Sequence, residues 1–202
     1  MADLTSLSSY GQDPFLHNHL LLKKKLLKLV GGEFRLFAPN GELALVAHQK
    51  GFKLKEEITV YADDSKSRPL IGIFARQIMD FNASYDVVDL TNNSKIGVLR
   101  RKGWSSIARD EWEVLDPWDK QVGSLFEDSI AMALIRRLLT NLVPQNYDME
   151  VMGTKVVDFK QNFNPFVYHL QVIFTVPPNQ FDRRIGVAAS ILLAAIEGRQ
   201  RN

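Results

Sequence analysis

The hydrophobic and polar positions of this 202-residue chain repeat in five segments of one plan, each with two strand-like stretches around a polar turn. Within the stretches apolar residues tend to alternate with polar ones, as at Phe34 and Leu36, which is the period of half-buried strands. Turn residues such as Asn92-Asn93-Ser94 separate the stretches. Each segment is therefore predicted to be a β-hairpin, and the five are Glu33 to Lys50, Glu57 to Gln77, Ser84 to Gly103, Glu111 to Ser129 and Asn146 to Phe163.

Alignment of the five segments supports a common structure. One apolar anchor takes the same position in each, namely Phe34, Ile58, Tyr85, Trp112 and Tyr147. In three segments the second stretch contains a β-branched residue followed by glycine, and an apolar residue stands two positions after that glycine. The three are Ile71-Gly72 with Phe74, Ile96-Gly97 with Leu99, and Val122-Gly123 with Leu125. A first strand within Leu20 to Leu29 and a last one within Phe166 to Val176 bring the predicted total to about twelve.

Two further segments have helical patterns. Asp128 to Val143 carries an apolar stripe at helical spacing and is followed by Pro144, which predicts an amphipathic helix with one face on the sheet. The twelve residues from Ile185 to Ile196 contain one polar side chain, Ser190. They would cover roughly 18 Å as a helix, too short for a bilayer, and they have no polar face for a membrane surface. This second helix is therefore predicted to be buried inside the protein.

A closed sheet of about twelve strands has an interior too wide for strand side chains alone to fill. The apolar helix suits that space, with its bulky residues filling the wider gaps: Ile185, Ile191, Leu192, Leu193 and Ile196. The predicted fold is mainly β, a closed antiparallel barrel around a buried C-terminal helix with one amphipathic helix outside. A two-layer packing is the alternative. We expect a flexible tail over residues 1–18, one barrel domain over 19–198, and a C-terminal tail over 199–202.

The C-terminal region carries a family resemblance. The segments "FNPF", "YHLQVIF" and "FDRRIGVAASILLAAIE", between Phe163 and Glu197, resemble the tubby C-terminal-like superfamily, in its branch of phospholipid scramblases and LURP-one-related proteins. The resemblance covers roughly residues 19–198 and implies a twelve-stranded barrel around a C-terminal helix. Scramblases share an acidic segment before the last helix, whereas this chain has only Asp182 there. Because calcium needs six or more oxygen ligands, this difference argues against calcium-triggered lipid scrambling.

Composition and motifs restrict the chemistry. The chain has no cysteine, which excludes disulfides and thiolate sites, and its net charge of +2 lacks the basic excess of a nucleic-acid binder. The histidines have no carboxylate partners at metal-binding spacing, and no phosphate-binding loop, nucleophile elbow or dinucleotide motif is present. We therefore expect no catalytic residue, metal or cofactor. The polar start has no secretory pattern, so we expect a cytoplasmic protein, either free or attached to a membrane surface. We also expect a monomer.

Two basic clusters are the candidate site for a phospholipid headgroup. The first cluster lies on the first strand and comprises Lys23, Lys24, Lys25 and Lys28; the second comprises Arg100, Arg101, Lys102 and Trp104. Cations beside an aromatic ring suit a membrane interface. The sequence thus predicts a non-catalytic module that binds anionic phospholipid. The alternatives are that the clusters are solvated or edge-protecting strand residues, that the chain is a protein-binding scaffold or signalling module, and that it translocates lipid.

Overall fold

The structure, a computed structural model, describes residues 13–25, 32–50, 57–76, 83–102, 111–127, 145–162 and 167–200. In this part of the chain twelve antiparallel strands form a closed barrel, in which each strand pairs with its neighbours in sequence and the first pairs with the last. The predicted barrel is therefore confirmed. The strands are β1 (His19–Lys25), β2 (Gly32–Phe37), β3 (Leu43–Lys50), β4 (Glu57–Tyr61), β5 (Pro69–Ala75), β6 (Ser84–Asp89), β7 (Ser94–Arg101), β8 (Glu111–Leu115), β9 (Gln121–Glu127), β10 (Asn146–Val151), β11 (Thr154–Asn162) and β12 (Val167–Phe174).

All five predicted hairpins are present, and their aligned anchors are all buried: Phe34, Ile58, Tyr85, Trp112 and Tyr147. The alignment fails at one position of the second stretches. Leu99 and Leu125 are core residues, whereas Phe74 is only partly buried and its neighbour Ile73 takes the core position. Both ladders have a bulge, which falls at Leu70, before the Ile71-Gly72 step, in β4–β5 but at Ile96, within the Ile96-Gly97 step, in β6–β7. Because a one-residue shift turns a strand over, the same sequence step faces opposite sides in β5 and β7.

The C-terminal helix α1 (Arg183–Gln200) fills the barrel. Every residue from 185 to 195 is buried, so the helix has no face in water along this stretch. Four of the predicted core residues are almost fully buried, and Ile196 packs partly buried against the same cluster. The predicted amphipathic helix from Asp128 to Val143 lies outside the described residues. Within the described residues, no helix combines the length and the apolar character needed to cross a bilayer.

The two ends of the barrel differ. The five hairpin turns, residues 38–42, 62–68, 90–93, 116–120 and 152–153, lie at one end, because every odd-numbered strand begins there. Helix α1 also begins at this end, since it follows the end of β12. We call it the turn end. The opposite end, where the odd-numbered strands and α1 finish, is the far end.

Candidate functional site

The first basic cluster lies at the far end, and one of its lysines points into the barrel. Lys24 shares a strand face with the buried Leu20 and Leu22. Its Nζ donates to the carbonyl oxygen of Ala194 at 3.0 Å and lies 5.1 Å from the centre of the Phe34 ring. Both contacts place the ammonium group of Lys24 on the inner side of the barrel wall. The predicted headgroup role of Lys24 conflicts with this orientation, which follows from the alternation of β1.

The other lysines of this cluster are less constrained. Lys23 lies on the outer face of β1, opposite Arg35 of β2 and His169 of β12, with its Nζ 4.9 Å from the centre of the Phe37 ring. Burial, together with the charge of Lys23, lowers the pKa of His169. Lys25 ends β1, and Lys28 lies outside the described residues. Lys23 is thus the member whose side chain is seen on the outside of the barrel.

The second basic cluster also lies at the far end, but two of its cations are paired with carboxylates. Arg100 contacts Glu113 at 2.5 Å, and Lys102 contacts Glu111 at 2.7 Å. Arg101 lies opposite the buried Trp112, on the inward face of β7. The glutamates of β8 therefore neutralise the outward cations of β7. Trp104 lies outside the described residues.

The two clusters share an end of the barrel without sharing a surface. β1 and β7 are six strands apart in a ring of twelve, which puts them on opposite sides. With strands about 4.8 Å apart and tilted as in other barrels, the diameter is roughly 24 Å. A single headgroup cannot reach both clusters. Together with the paired and inward cations, this separation weakens the predicted headgroup site.

The exposed large apolar side chains of the described residues all lie at the turn end. Leu16 is 52% exposed, Trp118 85% and Met152 77%. Leu16 precedes β1, Trp118 is in the β8–β9 turn, and Met152 is in the β10–β11 turn. We call these three residues the apolar tips. Exposed apolar groups often mark interaction sites, so the apolar tips are candidates for a contact surface at the turn end.

Trp118 is held on a well-ordered turn. The Oδ1 atom of Asp116 accepts hydrogen bonds from the backbone N of both Trp118 and Lys120, each at 2.9 Å. The next residue, Asp119, has a φ of 69° and bonds to Arg76 at 2.5 Å, with Lys95 at 3.6 Å. The hydrogen bond from Arg76 lowers the pKa of Asp119. This network fixes the backbone of the turn that carries the exposed indole.

Met152 has a left-handed backbone conformation that is unfavourable for methionine. The turn between β10 and β11 has positive φ at both central residues, 50° at Met152 and 76° at Gly153. Such turns favour Asn-Gly because a side chain with a Cβ is strained at positive φ. Met152 therefore combines backbone strain with an exposed apolar side chain. Its backbone N donates to the Val122 carbonyl, so this turn neighbours the one that carries Trp118.

The turn end also contains a cleft of about 830 Å³. Its walls come from residues 13–17, from the β2–β3 and β4–β5 turns with adjoining strand residues, and from residues 178–184 before and at the start of α1. Residues 13–17 belong to the predicted tail, yet they include a 3-10 helix at Pro14–Leu16 and contact the barrel. Asp89 and Thr91 of the β6–β7 hairpin also line it, so the cleft lies where the N-terminal segment, three hairpins and α1 meet.

A triad of charges lies on one side of the cleft. Arg184 donates to Asp182 through Nε, 2.8 Å from Oδ1, and Nη2, 2.6 Å from Oδ2. Its Nη1 donates to Oδ2 of Asp89 at 2.6 Å. Asp89 is 6% exposed. Burial alone would raise its pKa, but hydrogen bonds from Thr91 and the charge of Arg184 bring that pKa below its usual value. The triad links β6 to the first turn of α1.

Arg183, also in the cleft lining, is a buried cation. It is 3% exposed and has no carboxylate partner among the described residues. Its guanidinium donates to the carbonyl oxygens of Phe15 and Val176 and to Oδ1 of Asn18, and burial lowers its pKa. Its Nε has no hydrogen-bond partner. Its Cζ lies 4.8 Å from the centre of the Phe174 ring, a cation–π contact. Buried charges are usually paired with an opposite charge, which the described residues do not supply here.

The described residues contain no group of three or more histidine, aspartate or glutamate side chains placed to hold a metal ion. The apolar tips were not predicted from the sequence, although two of them are unusual residues for their turns. Trp118 stands in "DPWDK", and Met152 stands where Asn would fit the turn. No protein-family model matches the chain, and no curated protein matches it at a significant level. The resemblance described above therefore rests on the order of the elements and on the C-terminal segments.

Proposed function

We propose that this chain is a non-catalytic, tubby/scramblase-like module that binds phospholipid at a membrane surface, and that it does so with its turn end. The observation that carries the proposal is the position of the apolar tips, Leu16, Trp118 and Met152, at one end of the barrel. Tryptophan is enriched at membrane interfaces because its ring is apolar and its N–H can stay hydrated. Inserted side chains of this kind anchor a protein without crossing the bilayer.

The two hairpin tips are suited to shallow insertion. The turn of Trp118 is fixed by Asp116 and by the contact of Asp119 with Arg76, so little backbone entropy is lost when the indole enters the lipid. Lys120 is exposed beside it, and an ammonium near a bilayer surface is attracted to phosphate groups. Met152 on the adjacent turn is flexible and adapts to irregular apolar surroundings.

A bilayer fits these tips better than a protein partner does. The tips stand on separate turns, with polar residues such as Asn40, Asp64 and Asn93 exposed on the other turns of the same end. A stable protein interface needs a continuous and complementary surface of about 800 Å² on each side. A lipid surface needs no such complement, because it deforms around each inserted side chain. Separate apolar tips with hydrated groups between them are compatible with the interfacial region of a bilayer.

Vesicle sedimentation tests the proposal. The wild-type chain is mixed with neutral phosphatidylcholine vesicles and with vesicles that also contain phosphatidylserine, and the bound fraction is measured against lipid concentration. The variant W118A/M152N should bind at least about tenfold more weakly, since both apolar anchors are lost. The matched variant K23Q/K102Q removes one cation from each basic cluster at the far end and should keep its binding. Absence of wild-type binding to both kinds of vesicle would refute the proposal.

The same experiment shows which end of the barrel contacts the membrane. Binding that needs phosphatidylserine and is lost in K23Q/K102Q, while W118A/M152N behaves as wild type, would put the far end against the membrane as the sequence predicts. Quenching of tryptophan fluorescence by brominated lipid gives an independent reading. The quenching is measured in a W104F background, in which Trp112 and Trp118 are the remaining tryptophans. It should fall sharply in W104F/W118F, because the ring of Trp112 is 2% exposed within the barrel.

A further inference from the structure

We propose that the cleft at the turn end binds the zwitterionic headgroup of a phospholipid, with its phosphate toward Arg183 and Arg68 and its ammonium group toward Asp13 and Glu42. All four residues line the cleft. The proposal rests on the proposed function, because the cleft lies at the end of the barrel that would face the lipid. It adds the chemical class of the ligand, which the apolar tips do not specify.

The size and the walls of the cleft suit such a ligand. Its volume of about 830 Å³ lies within the range of about 300–1,000 Å³ that is usual for small-molecule sites. Apolar side chains from four different segments line it, namely Phe15, Leu43, Leu70 and Phe181. Such walls accommodate the glycerol region and the methyl groups of a lipid headgroup. The charged side chains then determine which headgroup is favoured.

Three charged side chains of the cleft are paired with one another and leave no charge free for a ligand. Asp89, Asp182 and Arg184 form the triad described above, and each carboxylate is bonded to the guanidinium. A ligand that displaced either carboxylate would have to compensate for the loss of a partly buried ion pair. We therefore assign recognition to the charges that lie outside this triad.

The remaining charges are of both signs and are poorly compensated. Among the described residues neither Asp13 nor Glu42 has a basic partner; Asp13 caps the backbone N of Phe15, and Glu42 bonds to the amide of Asn40. Arg68 lies 3.7 Å from Asp63, and Arg183 contacts three neutral oxygens and the ring of Phe174 but no described carboxylate. Two acidic and two basic groups thus share one cleft, each lacking a close ion pair within it.

This pattern selects among ligand classes. A polyanion such as an inositol phosphate would meet the negative charge of Asp13 and Glu42. A simple cation would meet the buried guanidinium of Arg183, which has an unpartnered Nε and adjoins the positive end of the α1 dipole. A phosphate ester that also carries an ammonium group offers an opposite charge to each set. Phosphocholine and phosphoethanolamine are the headgroups with that chemistry.

Titration with soluble headgroups tests the inference without any membrane. Phosphocholine and glycerophosphoethanolamine are added to the full-length chain at up to roughly 20 mM, a range set by the modest affinity of ligands this small. Chemical shifts or calorimetry report binding, and inositol trisphosphate is the polyanionic comparison. We expect saturable binding of the two zwitterions and at least about fivefold weaker binding of the trisphosphate. No saturable binding of either zwitterion, or tighter binding of the trisphosphate, would overturn the inference.

Two exposed substitutions and one control complete the test. E42Q and R68Q each remove one charge from an exposed residue and should weaken zwitterion binding about fivefold while leaving thermal unfolding unchanged. W118A should leave headgroup binding unchanged but reduce vesicle binding. Vesicle binding without headgroup binding would refute the cleft alone, and headgroup binding without vesicle binding would refute the membrane function alone. If E42Q and R68Q bind the headgroups as wild type does, the assigned contacts are wrong.

Discussion

Arg184 in the first turn of α1 lies 2.6 Å from Asp89 at the end of β6, and this contact fixes the start of the central helix against the barrel wall. Asp89 is nearly inaccessible and also accepts hydrogen bonds from the backbone N and the hydroxyl of Thr91. The helix therefore enters the barrel through a polar junction, although the interior beyond it is apolar. This junction also forms one side of the cleft.

Removal of Arg184 should destabilise the fold. R184Q would leave Asp89 as a buried carboxylate with no cationic partner, and we expect a loss of about 2 kcal/mol in the free energy of unfolding. Urea unfolding at pH 7 measures it. The double variant D89N/R184Q should recover part of the loss, because the unpaired charge is gone. Equal stability of R184Q and wild type would show that the contact does not anchor the helix.

The ion pair of Asp89 and Arg184 should make the free energy of unfolding depend on pH in the acidic range. The pKa of Asp89 is lowered in the folded state, so its contribution is present above its unfolded pKa and is lost as the pH falls through the folded value. The relevant range is below about pH 4, where a free aspartate takes up its proton. Wild type should lose stability there more steeply than D89N. Parallel pH profiles for the two proteins from pH 7 to pH 3 would contradict this expectation.

The glycine of the Ile96-Gly97 step should tolerate no larger side chain. A Cβ at Gly97 would lie 2.8 Å from Cδ1 of Ile185 and 3.0 Å from the backbone oxygen of Leu115. Because the backbone cannot move away easily, G97V should cost about 3 kcal/mol or prevent folding. Gly153 provides the control, since nothing lies within 4 Å of its Cβ position and asparagine tolerates its positive φ. G153N should therefore unfold close to wild type, and a similar result for G97V would mean that α1 does not pack against β7 as described.

The fold was predictable because it follows from repeated local patterns. Period-two alternation, turn residues and the five aligned anchors define hairpins, and a helix with no polar face must be enclosed. The orientation of Lys24 was also available, because it stands at even spacing from Leu20 and Leu22, but the run of three lysines favoured an exposed strand. The apolar tips and the cleft were not predictable. They depend on how turns and the segment before β1 meet in space, and on backbone conformations such as the positive φ of Met152.

Deletion of residues 182–202 should abolish the fold. These residues include the whole of α1, and their removal would leave inward side chains such as Leu22, Leu99 and Phe159 around an empty axis. We expect an aggregated or unfolded product with no cooperative thermal transition. Circular dichroism and size-exclusion chromatography measure this outcome. A soluble truncated chain that unfolds cooperatively would show that the helix is not the centre of the core.

Lys24 should matter for stability and not for lipid. K24Q removes the ammonium that donates to the Ala194 carbonyl, and we expect a loss of about 1 kcal/mol in the free energy of unfolding. Vesicle binding should be unchanged, because the side chain faces the interior. K23Q, on the outer face of the same strand, is the matched control and should leave stability near wild type. Loss of vesicle binding in K24Q with unchanged stability would restore the headgroup role that the sequence predicts.

Met152 provides a test in which stability and membrane binding should change in opposite directions. Asparagine fits the positive φ of 50° better than methionine does, so M152N should stabilise the chain by about 1 kcal/mol. It also removes an apolar tip that is 77% exposed, so the bound fraction in vesicle sedimentation should fall. A residue that costs stability and gains nothing from packing is explained if it contacts something outside the chain. If M152N binds vesicles as wild type does, the strain at this turn serves another purpose and the membrane contact rests on Trp118 alone.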